Sequence, residues 1–149
     1  MEKSIGTGRA AEFFQKIIEA QGGNPAVVDD PAVLPQAAEC EIFMARRRGF
    51  VARVEPKTIG RAVVDMGGGR TRVEDVVDPA VGFVVSARPG DWVEEGEPMA
   101  TVFANDRAGI GIGRQALRAA IVIADEAEPP LPLVSHRVTI SGVELYETD

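Results

Sequence analysis

Ala10, Phe13, Phe14, Ile17 and Ile18 fall at i, i+3, i+4, i+7 and i+8, an apolar stripe that predicts a helix over residues 9–20. Gly22-Gly23 stops it, because glycine accepts the left-handed turn that closes a helix end. From Asn24 to Gln36 the period disappears. Pro25, Pro31 and Pro35, together with Asp29-Asp30, predict an irregular connection and a boundary between two parts of the chain.

Beyond that boundary the pattern mixes periods. Phe50 to Val54 alternates and predicts a strand, and Pro56 suits the first turn of a helix whose stripe is Ile59, Ala62, Val63 and Met66. Gly67-Gly68-Gly69 ends that helix. Asp78-Pro79 opens a valine-rich β run from Ala80 to Ala87, Pro89-Gly90-Asp91 turns, and Trp92-Val93 is a short strand. Glu94 to Pro98 is a second turn, followed by a strand from Met99 to Ala104. A third helix is predicted from about Arg114 to Ala124, with Leu117, Ala120, Ile121 and Ala124 on one face. After the tract containing Pro129, Pro130 and Pro132, strands Val138 to Ile140 and Val143 to Tyr146 flank Ser141-Gly142 as a hairpin. A helix, a linker and then interleaved strands and helices give an α+β fold class.

Composition narrows the function. A net charge of −7 and a pI near 4.8 argue against nucleic-acid binding, which needs a concentrated basic face. Arg46-Arg47-Arg48 is the one basic cluster; it reads as a solvated lead-in to a strand, with an anion-binding patch as the alternative. Cys40 is the only cysteine, so an intrachain disulfide and a thiolate metal site are excluded; within Ala37-Ala38-Glu39-Cys40-Glu41-Ile42-Phe43 it reads as a small buried thiol. No apolar run approaches the roughly 20 residues of a membrane span, and no signal peptide is visible, which predicts a cytoplasmic protein.

Candidate chemistry is sparse. Met66-Gly67-Gly68-Gly69-Arg70 has the glycines and arginine of an anion cradle, but they follow a helix, the end whose dipole repels anions. A helix stop with a tight backbone passage is the expected role. His136 has no acid or thiol tied to it by spacing and reads as a surface or structural residue. The acidic pairs Asp29-Asp30, Glu94-Glu95 and Asp125-Glu126 sit at turns and helix ends, where solvation accounts for them. No convergent set of metal ligands stands out. Gly90-Asp91-Trp92-Val93-Glu94-Glu95-Gly96-Glu97-Pro98-Met99-Ala100 resembles the hammerhead turn of lipoyl and biotinyl carrier domains. A carrier also needs a lysine at a hairpin tip, and the lysines stand only at positions 3, 16 and 57, so a swinging arm is not expected.

Several fragments stand out in order along most of the chain: Gly8-Arg9-Ala10 through Phe13, Ala20-Gln21-Gly22-Gly23-Asn24-Pro25, Gly49-Phe50-Val51, Ile59 through Arg70, Asp78 through Gly82, and Arg88-Pro89-Gly90-Asp91. Together they resemble one family, the thymidine and pyrimidine-nucleoside phosphorylases. The resemblance does not extend over Gly142 to Asp149. It implies that residues 1–36 are the terminal helix and linker of a central α/β domain, and residues 37–149 a C-terminal α+β domain of α/β-hammerhead type. It also implies a parent enzyme that splits thymidine with phosphate into thymine and 2-deoxyribose 1-phosphate in pyrimidine salvage. The parent works as a homodimer and without a cofactor, phosphate being a co-substrate.

In that family, the Lys/Ser loop that holds phosphate and the His, Arg, Ser and Lys groups that hold the base lie in the first two domains. No stretch here matches them. No catalytic, substrate-binding or metal-ligating residue is therefore assigned, and the chain by itself is expected to be inactive, partnered by the remaining domains of the phosphorylase. The greater part of such an enzyme is expected to lie outside this chain, whether by truncation or by a split gene. The competing expectation is a free-standing hammerhead-type binding or scaffold module.

Overall fold

The computed structural model describes residues 2–127 and 134–146. The chain divides into two compact units, Met1–Ala38 and Glu39–Asp149.

In the first unit, α1 (Glu2–Gly6) precedes α2 (Arg9–Ala20), which occupies the predicted span. The stop is a Schellman turn. Gly22 has φ 78°, its N–H donates to the Glu19 carbonyl at 2.9 Å, and the Gly23 N–H donates to the Ile18 carbonyl at 2.9 Å. The connection predicted as irregular contains two short 3₁₀ turns, Pro25–Val28 and Pro31–Val33. Each starts with proline behind a capping side chain: Asn24 accepts from the Ala26 N–H, and Asp30 from the Ala32 N–H. Gln15 Nε2 donates to the Asp29 carboxylate at 2.9 Å and ties the turns to α2.

The second unit has two antiparallel three-stranded sheets. One is ordered β1–β5–β3 from Glu39–Met44, Pro98–Ala104 and Gly82–Val85. The other is ordered β4–β2–β6 from Trp92–Val93, Gly49–Val54 and Ile121–Ala124. Helix α3 (Pro56–Val63) packs on α4 (Arg107–Ala120), and both sheets share one core with α4. Leu117, Val51 and Val102, from α4, β2 and β5, are the largest fully buried side chains. A separate hairpin joins β7 (His136–Thr139) to β8 (Gly142–Leu145), within two residues of its predicted limits. The tract of Pro129, Pro130 and Pro132 lies outside the described residues.

Three expectations are corrected. The third helix begins at Arg107 rather than near Arg114, and ends at Ala120. Glycines 109, 111 and 113 argue against a helix by propensity, each costing about 1 kcal/mol relative to alanine. Two of them serve close packing instead. A Cβ on Gly109 would lie 2.8 Å from the Ala104 Cβ, and one on Gly113 would lie 2.4 Å from Val102 Cγ1, so their absence lets α4 approach β5. Asp106 starts the helix by accepting from the Gly109 N–H at 2.8 Å. Residues 121–124, assigned to the end of that helix from sequence, form β6 and pair with β2, as suits the β-branched Ile-Val-Ile run.

The β run expected over Ala80 to Ala87 is shorter, Gly82–Val85. At one end Asp78 holds the Ala80 N–H in a turn. At the other, Ser86 and Ala87 both direct their N–H groups to the Met99 carbonyl, which breaks the ladder.

The third correction concerns Cys40, which is exposed rather than buried. In β1, Phe43 turns into the core, while Ile42 and Met44 remain 52% and 42% exposed. Glu41 is on the inner side with Phe43 and pairs with Arg114 of α4 at 3.6 Å. The apolar set Cys40, Ile42 and Met44 therefore lies on the face away from α4. Strand register extends that face across the sheet, Cys40 opposite Phe103 and Gly82, and Ile42 opposite Thr101 and Val84.

Candidate functional site

The glycine-rich stretch is explained by its surroundings. After Val63 the helix widens into a π turn, Val64–Gly68, in which Gly67 takes φ 95°, and the Gly67 carbonyl accepts from the Asp78 N–H at 2.9 Å. A Cβ on Gly68 would meet Val63 Cγ1 at 2.7 Å and Val81 Cγ2 at 2.9 Å, and one on Gly69 would meet Val64 Cγ2 at 2.6 Å. Only glycine passes here without moving a neighbour.

Three carboxylates hold the adjoining turns, each with its pKa below the ordinary value. Glu55 caps α3. It is lowered first by the Thr58 hydroxyl, donating at 2.6 Å, and then by the Thr58 and Lys57 N–H groups. Asp75 is lowered by the Thr71 hydroxyl at 2.7 Å and by the N–H groups of Arg72 and Thr71. Asp78 is lowered by the Asn105 amide and then by the Ala80 N–H.

In the unfolded chain these groups hold protons up to their ordinary values of 4.5 for Glu and 3.8 for Asp. Their contribution to stability is therefore complete above that range and is lost as pH falls through the lower folded-state values. Urea midpoints measured from neutral pH downward should fall on the acid side of that range. Asp75→Asn should flatten that fall while lowering the midpoint at neutral pH.

The remaining residues noted in the sequence sit on separate elements. His136 is exposed at the start of β7, with Nδ1 3.0 Å from the Ser135 hydroxyl. Cys40 borders a groove with Glu39, Glu41, Arg107, Ile110 and Arg114. Lys3, Lys16 and Lys57 lie in α1, α2 and α3 rather than at a hairpin tip. Several acidic residues have specific local partners beyond solvent: Asp29 takes Gln15, Glu94 accepts from the Trp92 indole at 2.8 Å, and Asp125 pairs with Arg47 at 2.7 Å. Among the described residues no group of three His, Cys, Asp or Glu side chains is placed to hold a metal ion. No helix among them is long and apolar enough to cross a membrane.

The carrier-like corner is built by backbone turns. Gly90 (φ 94°) donates to the Val51 carbonyl, Asp91 accepts from the Arg88 N–H, and Gly96 (φ 82°) donates to the Ala45 carbonyl. Trp92 stacks edge-on against Phe50 with ring centroids 4.9 Å apart. The family model described as pyrimidine nucleoside phosphorylase C-terminal domain matches residues 50–124, from β2 through this corner to the end of β6. The chain belongs to that family. The match spans the strands and helices that build the shared core, so this pyrimidine nucleoside phosphorylase C-terminal domain accounts for both three-stranded sheets except β1. Phe43, Arg46 and Arg47 lie outside the matched span.

Proposed function

We propose that this domain serves a thymidine-cleaving pyrimidine nucleoside phosphorylase as a non-catalytic support, buttressing the lobe that binds phosphate and moving with it as the cleft closes. In this reading residues 1–36 are the terminal helix and linker of the central α/β domain. Residues 37–149 are the C-terminal domain, of α/β-hammerhead type around the Gly90 to Pro98 corner. The parent is a cytoplasmic homodimer of pyrimidine salvage and uses phosphate as co-substrate without a cofactor.

Apolar surface turned outward is the observation that carries the reading. Among its described residues the second unit packs one core and buries no polar or charged side chain, yet leaves Ile42, Met44 and Val84 exposed on one sheet face. The hairpin repeats this: His136 pairs with Leu145 and Val138 with Val143, while the Arg137–Glu144 ion pair occupies the other face. A two-stranded hairpin with Val138 75% and Leu145 73% exposed lacks the cover that such hairpins need for stability in water. Exposed apolar side chains gathered on one face of a sheet suit a surface that another body covers.

The test is hydrogen exchange on the chain, alone and mixed with a pyrimidine nucleoside phosphorylase from which its own C-terminal domain has been deleted. Amides of β1 and the hairpin should exchange at least about tenfold more slowly in the mixture, equivalent to about 1.4 kcal/mol of added protection. Equal exchange in both samples would favour a free-standing module and contradict the reading.

A further inference from the structure

Arginines 46, 47 and 118 surround a cavity of about 180 Å³ whose remaining lining is Phe43, Met99, Ile121 and Ile123. Four elements build it: the end of β1 with the turn that follows, the start of β5, the last turn of α4, and β6. Met99 and Ile121 are 2% and 7% exposed, so the floor is continuous with the core. Arg47 is committed, donating to Asp125 and to the Ile123 carbonyl at 2.7 Å each. Arg46 and Arg118 make no ion pair among the described residues, and no carboxylate lines the cavity.

We propose that this cavity binds a compact small-molecule anion: one planar or apolar ring carrying a single carboxylate, with the ring on Phe43, Met99, Ile121 and Ile123 and the carboxylate on Arg46 and Arg118. The volume suits a single ring, falling below that of ordinary drug-sized sites. Two planar guanidinium groups without partners match a carboxylate better than a neutral polar group.

A bare anion gains little here. The protein as a whole carries −7, and the carbonyls at the end of α4 oppose negative charge, which is also why Arg118 is favourable in that turn. Affinity must therefore come from burying the ring, with the arginines selecting the charged head. Uncharged rings keep the burial but leave both guanidinium groups without a partner. The inference rests on this geometry alone and is independent of the proposed role in a phosphorylase.

Benzoate is the probe, titrated into the ¹⁵N-labelled full chain and followed by amide chemical shifts. The predicted result is saturable movement at Met99, Arg118, Ile121 and Ile123, with benzyl alcohol and inorganic phosphate each binding at least about tenfold more weakly. Arg46→Gln/Arg118→Gln should weaken benzoate by about tenfold or more, to the level of benzyl alcohol. Arg48→Gln, outside the cavity lining, should leave it unchanged. All the substituted side chains are exposed, so the spectra of the variants should retain native dispersion. Absence of saturable movement at these residues would overturn the proposal. So would phosphate binding as tightly as benzoate, or an equal loss in the Arg48 variant.

Discussion

Leu117→Ala is expected to remove about 2–5 kcal/mol of folding stability, a large part of the roughly 5–15 kcal/mol that holds a domain of this size. Leu117 is 0% exposed and lies in the one core that α4 shares with both sheets. The core cluster it belongs to draws side chains from strands of both sheets, which cannot collapse into the space without disturbing two ladders. The cavity therefore stays, and its cost adds to the lost burial. Urea unfolding should show a lower midpoint with an unchanged slope. Leu145→Ala is the matched control: that side chain is 73% exposed, and its removal should change stability by no more than about 0.5 kcal/mol.

Gly49→Ala should cost a comparable amount by adding one carbon. Gly49 opens β2 at φ 152°, where an L-residue is strained by about 1–3 kcal/mol. Its new Cβ would stand 2.5 Å from the Ala124 carbonyl oxygen and 2.7 Å from Ile123 Cγ2. The carbonyl is fixed in the β2–β6 ladder, so relief requires the strands to separate, at about 1–3 kcal/mol more. Together the two effects place the loss at about 2–6 kcal/mol. Gly60→Ala gives the opposite sign from the same chemistry. Gly60 is helical in α3 with nothing within 4 Å of its would-be Cβ, so alanine there should stabilise by about 0.5–1 kcal/mol. Both differences are read from urea midpoints.

How far the fold could be read from sequence varied with the physics of each element. Helix α2, strand β2, the proline start of α3 and the hairpin were legible because periodicity and turn residues agree there. The start of α4 was hidden because its glycines lower helix propensity while serving a close approach to β5, a tertiary reason that no local window contains. The cap at Asp106 was a usable signal for it. Strand β1 was not read from the sequence. Only Cys40 within it was expected to be buried, whereas the strand turns Phe43 and Glu41 toward α4 and leaves Cys40 and Ile42 outward. An apolar outer face inverts the usual rule, and it is the feature on which the proposed supporting role rests.

Family resemblance assigned no site residue to this chain. The glycines after α3 are accounted for by packing against Val63, Val64 and Val81. The cavity beside Arg46 and Arg118 joins residues distant in the chain, and pairing Arg118 with the basic triplet required the structure.

The account turns on a domain that supports catalysis without performing it. The direct measurement is thymine formation from thymidine and phosphate by the purified chain, beside an intact pyrimidine nucleoside phosphorylase at equal molarity. The account predicts a rate for the chain indistinguishable from the buffer blank. Turnover approaching that of the intact enzyme would contradict it.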